Sequence, residues 1–335
     1  MIDWLVSIHE FQANNWAAFG GRHFFLIETL LLTFAVCKWG IPITTDMMVN
    51  ASAGLAGKHF GDKSRTMVIN ASTNNPELAN MLVSIGVGRA GGIANPLGSN
   101  FANLYLMYLI APVWVFLHWT FTGQGGKAKQ LVSLIGKEKK LVVTHIIMAV
   151  IMFLFSSVAY YFMTGYNQFS RQAEAPVLHS SGLLFTGAGI SLVGVILFLI
   201  WNRYQQKKRP ELFDDIDSED HTDSWKTFAI GTGGLIICSF LLNAVFLGWT
   251  GVYGTTLKGF LGAAVFAGLH YFAGALATSL PELKVAVDNY RKLTPSDLNT
   301  ALASASVSNM TNLAIAIVGI LLIVGLGALG VNFVL

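Results

Sequence analysis

The sequence predicts an all-α, polytopic membrane protein whose helices, about eight of them, form two inverted-topology repeats. Three observations predict it. The chain is 53% apolar and 12% charged, with mean hydropathy +0.57, which leaves too little polar surface to cover a soluble globule of 335 residues. Scanning with the roughly 20 apolar residues that cross a bilayer gives eight windows. A short phrase, Thr73-Asn-Asn-Pro-Glu77-Leu78, returns as Thr278-Ser-Leu-Pro-Glu282-Leu283, each copy inside one of those windows.

Residues 1–22 lack the basic start and long apolar run of a cleavable signal peptide, so an amphipathic lead-in on the membrane surface is expected there. Spans are expected near 24–57, 66–88, 92–118, 142–164, 180–202, 227–250, 259–287 and 299–330. The first is too long for one perpendicular crossing, which predicts a tilted or bent helix. Its Glu28, Lys38 and Asp46 are expected to find polar partners or to snorkel. The first membrane half is 23–202 with repeat 66–118, and the second is 227–335 with repeat 259–330. Between them, the linker 203–226 turns from basic (Lys207, Lys208, Arg209) to acidic (Glu211 to Asp223) without the glycine and terminal Glu of an EF-hand, so a solvated connection is expected. Cys37 and Cys238 lie in apolar segments, where free thiols act as small hydrophobes. No strand precedes Gly91-Gly92 or Gly231-Thr-Gly-Gly234, so these read as turn and helix-packing positions rather than a nucleotide loop.

Basic residues report topology, because short cytoplasmic loops retain Lys and Arg. The first, third, fifth and seventh connections with their helix ends hold 16 of the 21, from Lys58, Lys63 and Arg65 through to Lys284, Arg291 and Lys292. These four connections are expected inside, with both termini outside, in the plasma (inner) membrane. The net charge of +3 carries no argument for a nucleic-acid partner.

Each half carries a glutamate at membrane depth, a placement that costs on the order of a few kcal/mol and so points to function. The proline before each removes a backbone N–H and frees carbonyls of the preceding turn. Downstream lie Ser99-Asn-x-x-Asn103 in the first half and Ser308-Asn-x-x-Asn312 in the second, with Ser and Asn four apart on one helical face. The hairpin that joins motif to partner turns outside in the first half, near Arg89, and inside in the second, near Asn289 to Ser296, so the repeats are inverted. Inverted repeats with broken helices at the midplane are secondary-transporter architecture, with the site between the halves. Carboxylate, hydroxyl and amide oxygens suit calcium or sodium, whereas soft metals ask for Cys, Met or His.

These residues resemble the calcium/cation antiporter family, which includes sodium/calcium and proton/calcium exchangers. Ala277-Thr-Ser-Leu-Pro-Glu-Leu283 is similar to the family's second alpha-repeat signature. Ser72-Thr-Asn-Asn-Pro-Glu-Leu78 with Gly98-Ser-Asn-Phe-Ala-Asn103 is similar to the first, and Thr45 to Ala56 to the family's first helix. The resemblance covers most of residues 40–105 and 240–315. It implies that Glu77 and Glu282 are paired calcium ligands assisted by the carbonyls of Thr73 and Thr278. Asn74, Ser99 and Asn103, with Ser279, Ser308 and Asn312, would complete the calcium and counter-ion sites. It further implies no enzymatic activity and no resident cofactor; partners would be calcium, sodium or protons, and membrane lipid. The first and sixth helices would slide across a fixed core to open the site to one side at a time.

The chain also departs from the family pattern. Asn74 matches proton/calcium exchangers and Ser279 sodium/calcium exchangers, which leaves the counter-ion open. Asn312 stands where some relatives are acidic, Asn70 where small residues are usual, and Val307 where the motif has Gly. The family generally has ten helices, so a partner chain, as in a homo-oligomer, or lipid would cover the second half. The alternatives are a transport-incompetent cation-binding membrane module and, less well supported, an intramembrane enzyme, for which no His or Asp lies near the motif. His270, twelve residues before Glu282, reads as a packing histidine, and His118 and His145 as interfacial ones.

Overall fold

The computed structural model describes residues 21–86, 93–164, 181–213, 224–261, 278–331 and 333. Among the described residues every regular element is helical: α1 (Gly21–Ala35), α2 (Ile41–Phe60), α3 (Arg65–Ser72), α4 (Asn75–Gly86), α5 (Ala94–Tyr105), α6 (Ala111–Phe121), α7 (Gly125–Lys137), α8 (Lys139–Thr164), α9 (Ser181–Lys208), α10 (Trp225–Leu261), α11 (Leu280–Lys292) and α12 (Pro295–Ala328). Among the described residues six helical stretches are long and apolar enough to cross a membrane: His23–Phe60, Pro96–Phe121, Lys139–Met163, Gly182–Lys208, Trp225–Leu242 and Pro295–Ala328. Large apolar side chains such as Leu31, Trp114, Val193 and Ile200 stand exposed on their outer faces, as lipid contact requires. The protein is a multi-pass membrane protein.

Six such stretches stand against eight expected spans, and the difference has a physical cause. The second expected span is interrupted at Thr73-Asn74, which divides it into α3 and α4 of 8 and 12 residues. Of the seventh, only residues 259–261, at the end of α10, and 278–287, which lead into α11, lie within the described residues. The long first span bends as expected. A π turn, Val36–Gly40, joins α1 to α2, and the Ile41 N–H donates to the Val36 carbonyl five residues back. Pro42 follows it and cannot donate to the carbonyl four residues back, so the helix widens by a residue. The same device, Leu106–Ile110 ahead of Pro112, joins α5 to α6.

The 34-residue α12 runs through the middle of the bundle and packs on α3, α4, α5, α8, α9 and α11. Around it one apolar cluster joins Met81, Leu97, Met152, Phe198 and Leu313, and a second joins Leu106, Val115, Leu131, Leu212 and Leu302. A third, of Met48, Leu235 and Leu242, belongs to the α2–α10 pair. That pair approaches closely because of its glycines. A Cβ on Gly231 would lie 2.6 Å from the Met48 backbone nitrogen, and one on Gly234 2.5 Å from Thr44 Cγ2. Gly231 and Gly234 are therefore packing positions, as expected; Gly91 and Gly92 lie outside the described residues.

Four connections gather at one end of the bundle. Gln206 at the end of α9 donates to the Lys63 carbonyl between α2 and α3 at 3.2 Å. Arg209 pairs with Glu138 between α7 and α8 at 2.6 Å, His59 lies against Trp225, and Ser296 at the start of α12 donates to the Leu212 carbonyl. These are the connections that hold most of the basic residues.

Two expectations change here and one element is added. The start of the linker is docked rather than solvated: Leu212 and Phe213 are buried, and Arg209 also pairs with the exposed Glu211. This holds the Glu211 carboxyl below its ordinary range, through the hydrogen bond from Arg209. The third connection contains an amphipathic helix, α7, which buries Ala128 and Leu131; its apolar positions were too few to register among so many lysines. His145 is not interfacial. Because α8 begins at Lys139, His145 sits well inside it and faces α12, bonded to Ser306 and Asn299 at 3.0 Å each. The exposed His118, in the last turn of α6, keeps a helix-end position, and His270 lies outside the described residues. Cys37 and Cys238 are free thiols, and Asp46 finds a partner in Lys284 at 2.6 Å.

Candidate functional site

Each glutamate begins a helix. Pro76 and Pro281 pre-set the backbone for a first turn and have no N–H to lose there. Glu77 and Glu282 follow them in the first turns of α4 and α11, where the positive end of the helix dipole favours a carboxylate. The ladder of α4 opens with the Leu78 N–H on the Asn74 carbonyl at 3.1 Å, and that of α11 with the Leu283 N–H on the Ser279 carbonyl at 3.0 Å. The carbonyls of Thr73 and Thr278 lie ahead of these first rungs. The two helices run in opposite senses. From Arg65, beside Lys63, the chain runs through α3 and α4 away from the basic end, whereas α11 runs toward it, to Arg291 and Lys292.

All ten residues expected at the site are buried, none more than 2% exposed. Glu77 and Glu282 lie close enough to interact electrostatically, with Ser308 between Asn74 and Glu282; Thr278 lies beside Glu77 and Thr73 beside Glu282. Neither Glu77 oxygen has a hydrogen-bond partner, nor has Oε2 of Glu282. Ser308 Oγ donates to Asn74 Oδ1 at 2.8 Å and lies 3.5 Å from the remaining oxygen, Glu282 Oε1. Ser279 Oγ and the amide oxygens of Asn103 and Asn312 are buried and unpartnered as well. Ser99 differs, since its hydroxyl donates to the Pro96 carbonyl at 3.0 Å.

The two Ser-Asn-x-x-Asn stretches, on α5 and α12, bond to each other reciprocally. Asn103 Nδ2 donates to Ser308 Oγ at 2.8 Å and to Asn309 Oδ1 at 3.0 Å. In the mirror arrangement, Asn312 Nδ2 donates to Ser99 Oγ at 2.8 Å and to Asn100 Oδ1 at 2.7 Å. Asn100 Nδ2 donates to the Asn309 carbonyl at 3.2 Å and Asn309 Nδ2 to the Asn100 carbonyl at 3.1 Å. Asn100 and Asn309, both fully buried, were not among the expected site residues. The signal was present, as the second letter of each motif, but helical spacing puts it off the face shared by Ser and the last Asn. Asn70 is a further addition: its carbonyl accepts from Thr73 Oγ1 and Asn74 Nδ2, and its amide reaches the Thr300 carbonyl at 3.3 Å.

The arrangement is a buried cluster of oxygens that includes two carboxylates, several of its oxygens without a hydrogen-bond partner. Among the described residues no three His, Cys, Asp or Glu side chains cluster, so a cation here would rely on two carboxylates and neutral oxygens. Compared with protein-family models, with curated proteins and with solved structures, the chain matches none of them.

Proposed function

We propose that the protein is a secondary active antiporter that exchanges calcium for sodium or protons by alternating access at one site between two inverted repeats. The observation that carries this reading is the neighbouring pair Glu77 and Glu282, buried with three of four carboxylate oxygens lacking a hydrogen-bond partner. Unpaired charge in such surroundings is costly, and two carboxylates side by side repel each other. A divalent cation offsets both. The oxygens around them, from Ser279, Asn103 and Asn312, are hard donors of the kind calcium and sodium take. Once calcium leaves, the carboxylates need a substitute, and sodium ions or protons fill the same oxygens. The two substrates therefore take turns, which is exchange.

The inverted-repeat reading is supported by the opposite senses of α4 and α11 and by the reciprocal bonding of α5 and α12. Eight crossings follow when the two interrupted segments that carry Glu77 and Glu282 are added to the six unbroken ones. The basic end faces the cytoplasm in this reading, with both termini outside, because retained Lys and Arg mark the cytoplasmic side. The test is calcium uptake into proteoliposomes under separately imposed sodium and pH gradients. Uptake driven by at least one gradient is expected, and Glu77→Gln and Glu282→Gln should each abolish it in protein that still folds. Full uptake in either variant sinks the site. Calcium binding without uptake under any gradient would instead make the protein a cation-binding membrane module.

A further inference from the structure

We propose that Asn100 and Asn309 are positioning residues: each, from its own repeat, fixes the amide of the other repeat's Asn so that an oxygen and not an NH2 is presented to the cation. The inference rests on the cation-site reading above and goes beyond it by assigning two residues outside that donor set. A primary amide has two N–H groups and one carbonyl oxygen, and a half-turn exchanges them. At a cation site that half-turn replaces a ligand by a repelling donor.

Here both N–H groups of Asn312 are occupied, one by Ser99 Oγ and one by Asn100 Oδ1, and its Oδ1 is left without a donor. Asn103 is held in the same way by Ser308 Oγ and Asn309 Oδ1, and its Oδ1 is likewise without a donor. Ser99 and Ser308 give their one proton to the Pro96 carbonyl and to Asn74 Oδ1, but a hydroxyl can rotate to turn that proton toward a flipped amide oxygen, so the serines oppose the flip less firmly than a group that can only accept. The oxygens of Asn100 and Asn309 can only accept, and they are themselves held in orientation. Asn100 Nδ2 is anchored on Ser156 Oγ and the Asn309 carbonyl, and Asn309 Nδ2 on the carbonyls of Asn100 and Ala149. The anchors cross between α5 and α12, so each ligand is oriented by the opposite repeat.

The pairing gives a pattern that general loss of packing would not reproduce. Equilibrium binding of radiolabelled calcium to the purified full chain would be measured for N100A, N309A, N103A, N312A and their pairs, with thermal midpoints recorded without calcium. N100A and N309A should each weaken binding by roughly tenfold, the range seen when a residue orienting a metal ligand is removed. N100A should add nothing to N312A, because the amide it orients is gone, yet multiply with N103A; N309A should be silent with N103A and multiply with N312A. Should an alanine variant fail to fold, Asn100→Ser or Asn309→Ser, which leave a smaller hole, carry the same cycle. Unaltered affinity in folded N100A, or equal multiplication with N103A and N312A, overturns the positioning roles while wild-type binding upholds the cation site. Wild-type protein that binds neither calcium nor sodium overturns the cation reading, and this proposal with it.

Discussion

Glu77 and Glu282 are unfavourable for stability as they stand, since burial removes their hydration and few donors replace it. Neutralising either one should relieve that cost while destroying the site. Glu77→Gln is therefore expected to raise the thermal midpoint of cation-free protein, by about 1–3 kcal/mol of stability, while abolishing uptake. Reduced stability of the variant in a melting experiment would show that the carboxylate is already well satisfied. A second residue-scale prediction concerns the counter-ion. Asn74 donates to the Asn70 carbonyl and accepts from Ser308, whereas Ser279 in the corresponding place has an unpartnered hydroxyl oxygen. Asn74→Ser would make the two repeats alike and free Ser308, so the ratio of sodium-driven to pH-driven uptake should change. An unchanged ratio would place the choice of counter-ion elsewhere.

Among elements, the informative contrast is between the close α2–α10 pair and the interrupted α3–α4. Gly231→Ala would drive a methyl against the Met48 backbone, which cannot move aside as a side-chain tip would; Gly233 has open space around it. Gly231→Ala should cost about 1–3 kcal/mol by equilibrium unfolding and Gly233→Ala close to nothing. Similar losses from both would mean the two helices are not in that register. The break at Thr73-Asn74 depends on Pro76, so Pro76→Ala should let α3 and α4 join, adding helix by circular dichroism and lowering uptake through loss of the free carbonyls. Here the sequence was a good guide. The proline before Glu77 marked the break, because a missing N–H acts locally, and the length of the first span predicted its bend; the short apolar face of α7 is defined only by what it packs against.

For the whole molecule, the gathering of four connections at one end predicts how the chain sits across a membrane. Cysteines introduced at exposed Lys129 and Lys207 in a Cys37→Ser, Cys238→Ser background should react with an impermeant maleimide from the same side of the membrane. Labelling from opposite sides would contradict the bundle as described. The docked linker adds a condition. Because Arg209 lowers the Glu211 carboxyl, the contribution of that pair is fully present above the ordinary carboxylate range and is lost as pH falls through the lowered value beneath it. Arg209 is partly exposed, so Arg209→Ala should loosen the linker to proteolysis while costing less than about 1 kcal/mol of overall stability.

The sequence by itself determined that the chain is helical and membrane-embedded, which connections share a side, and which two glutamates stand in equivalent places. Those properties follow from composition, from the placement of charges and from motifs a few residues long. Only the tertiary structure decided that Glu77 and Glu282 come close together, that three of their four oxygens lack a partner, and that Asn100 and Asn309 exchange bonds across α5 and α12. The reason is distance along the chain. The Asn100–Asn309 contact joins residues 209 apart, and whether a buried oxygen is satisfied depends on every helix that surrounds it.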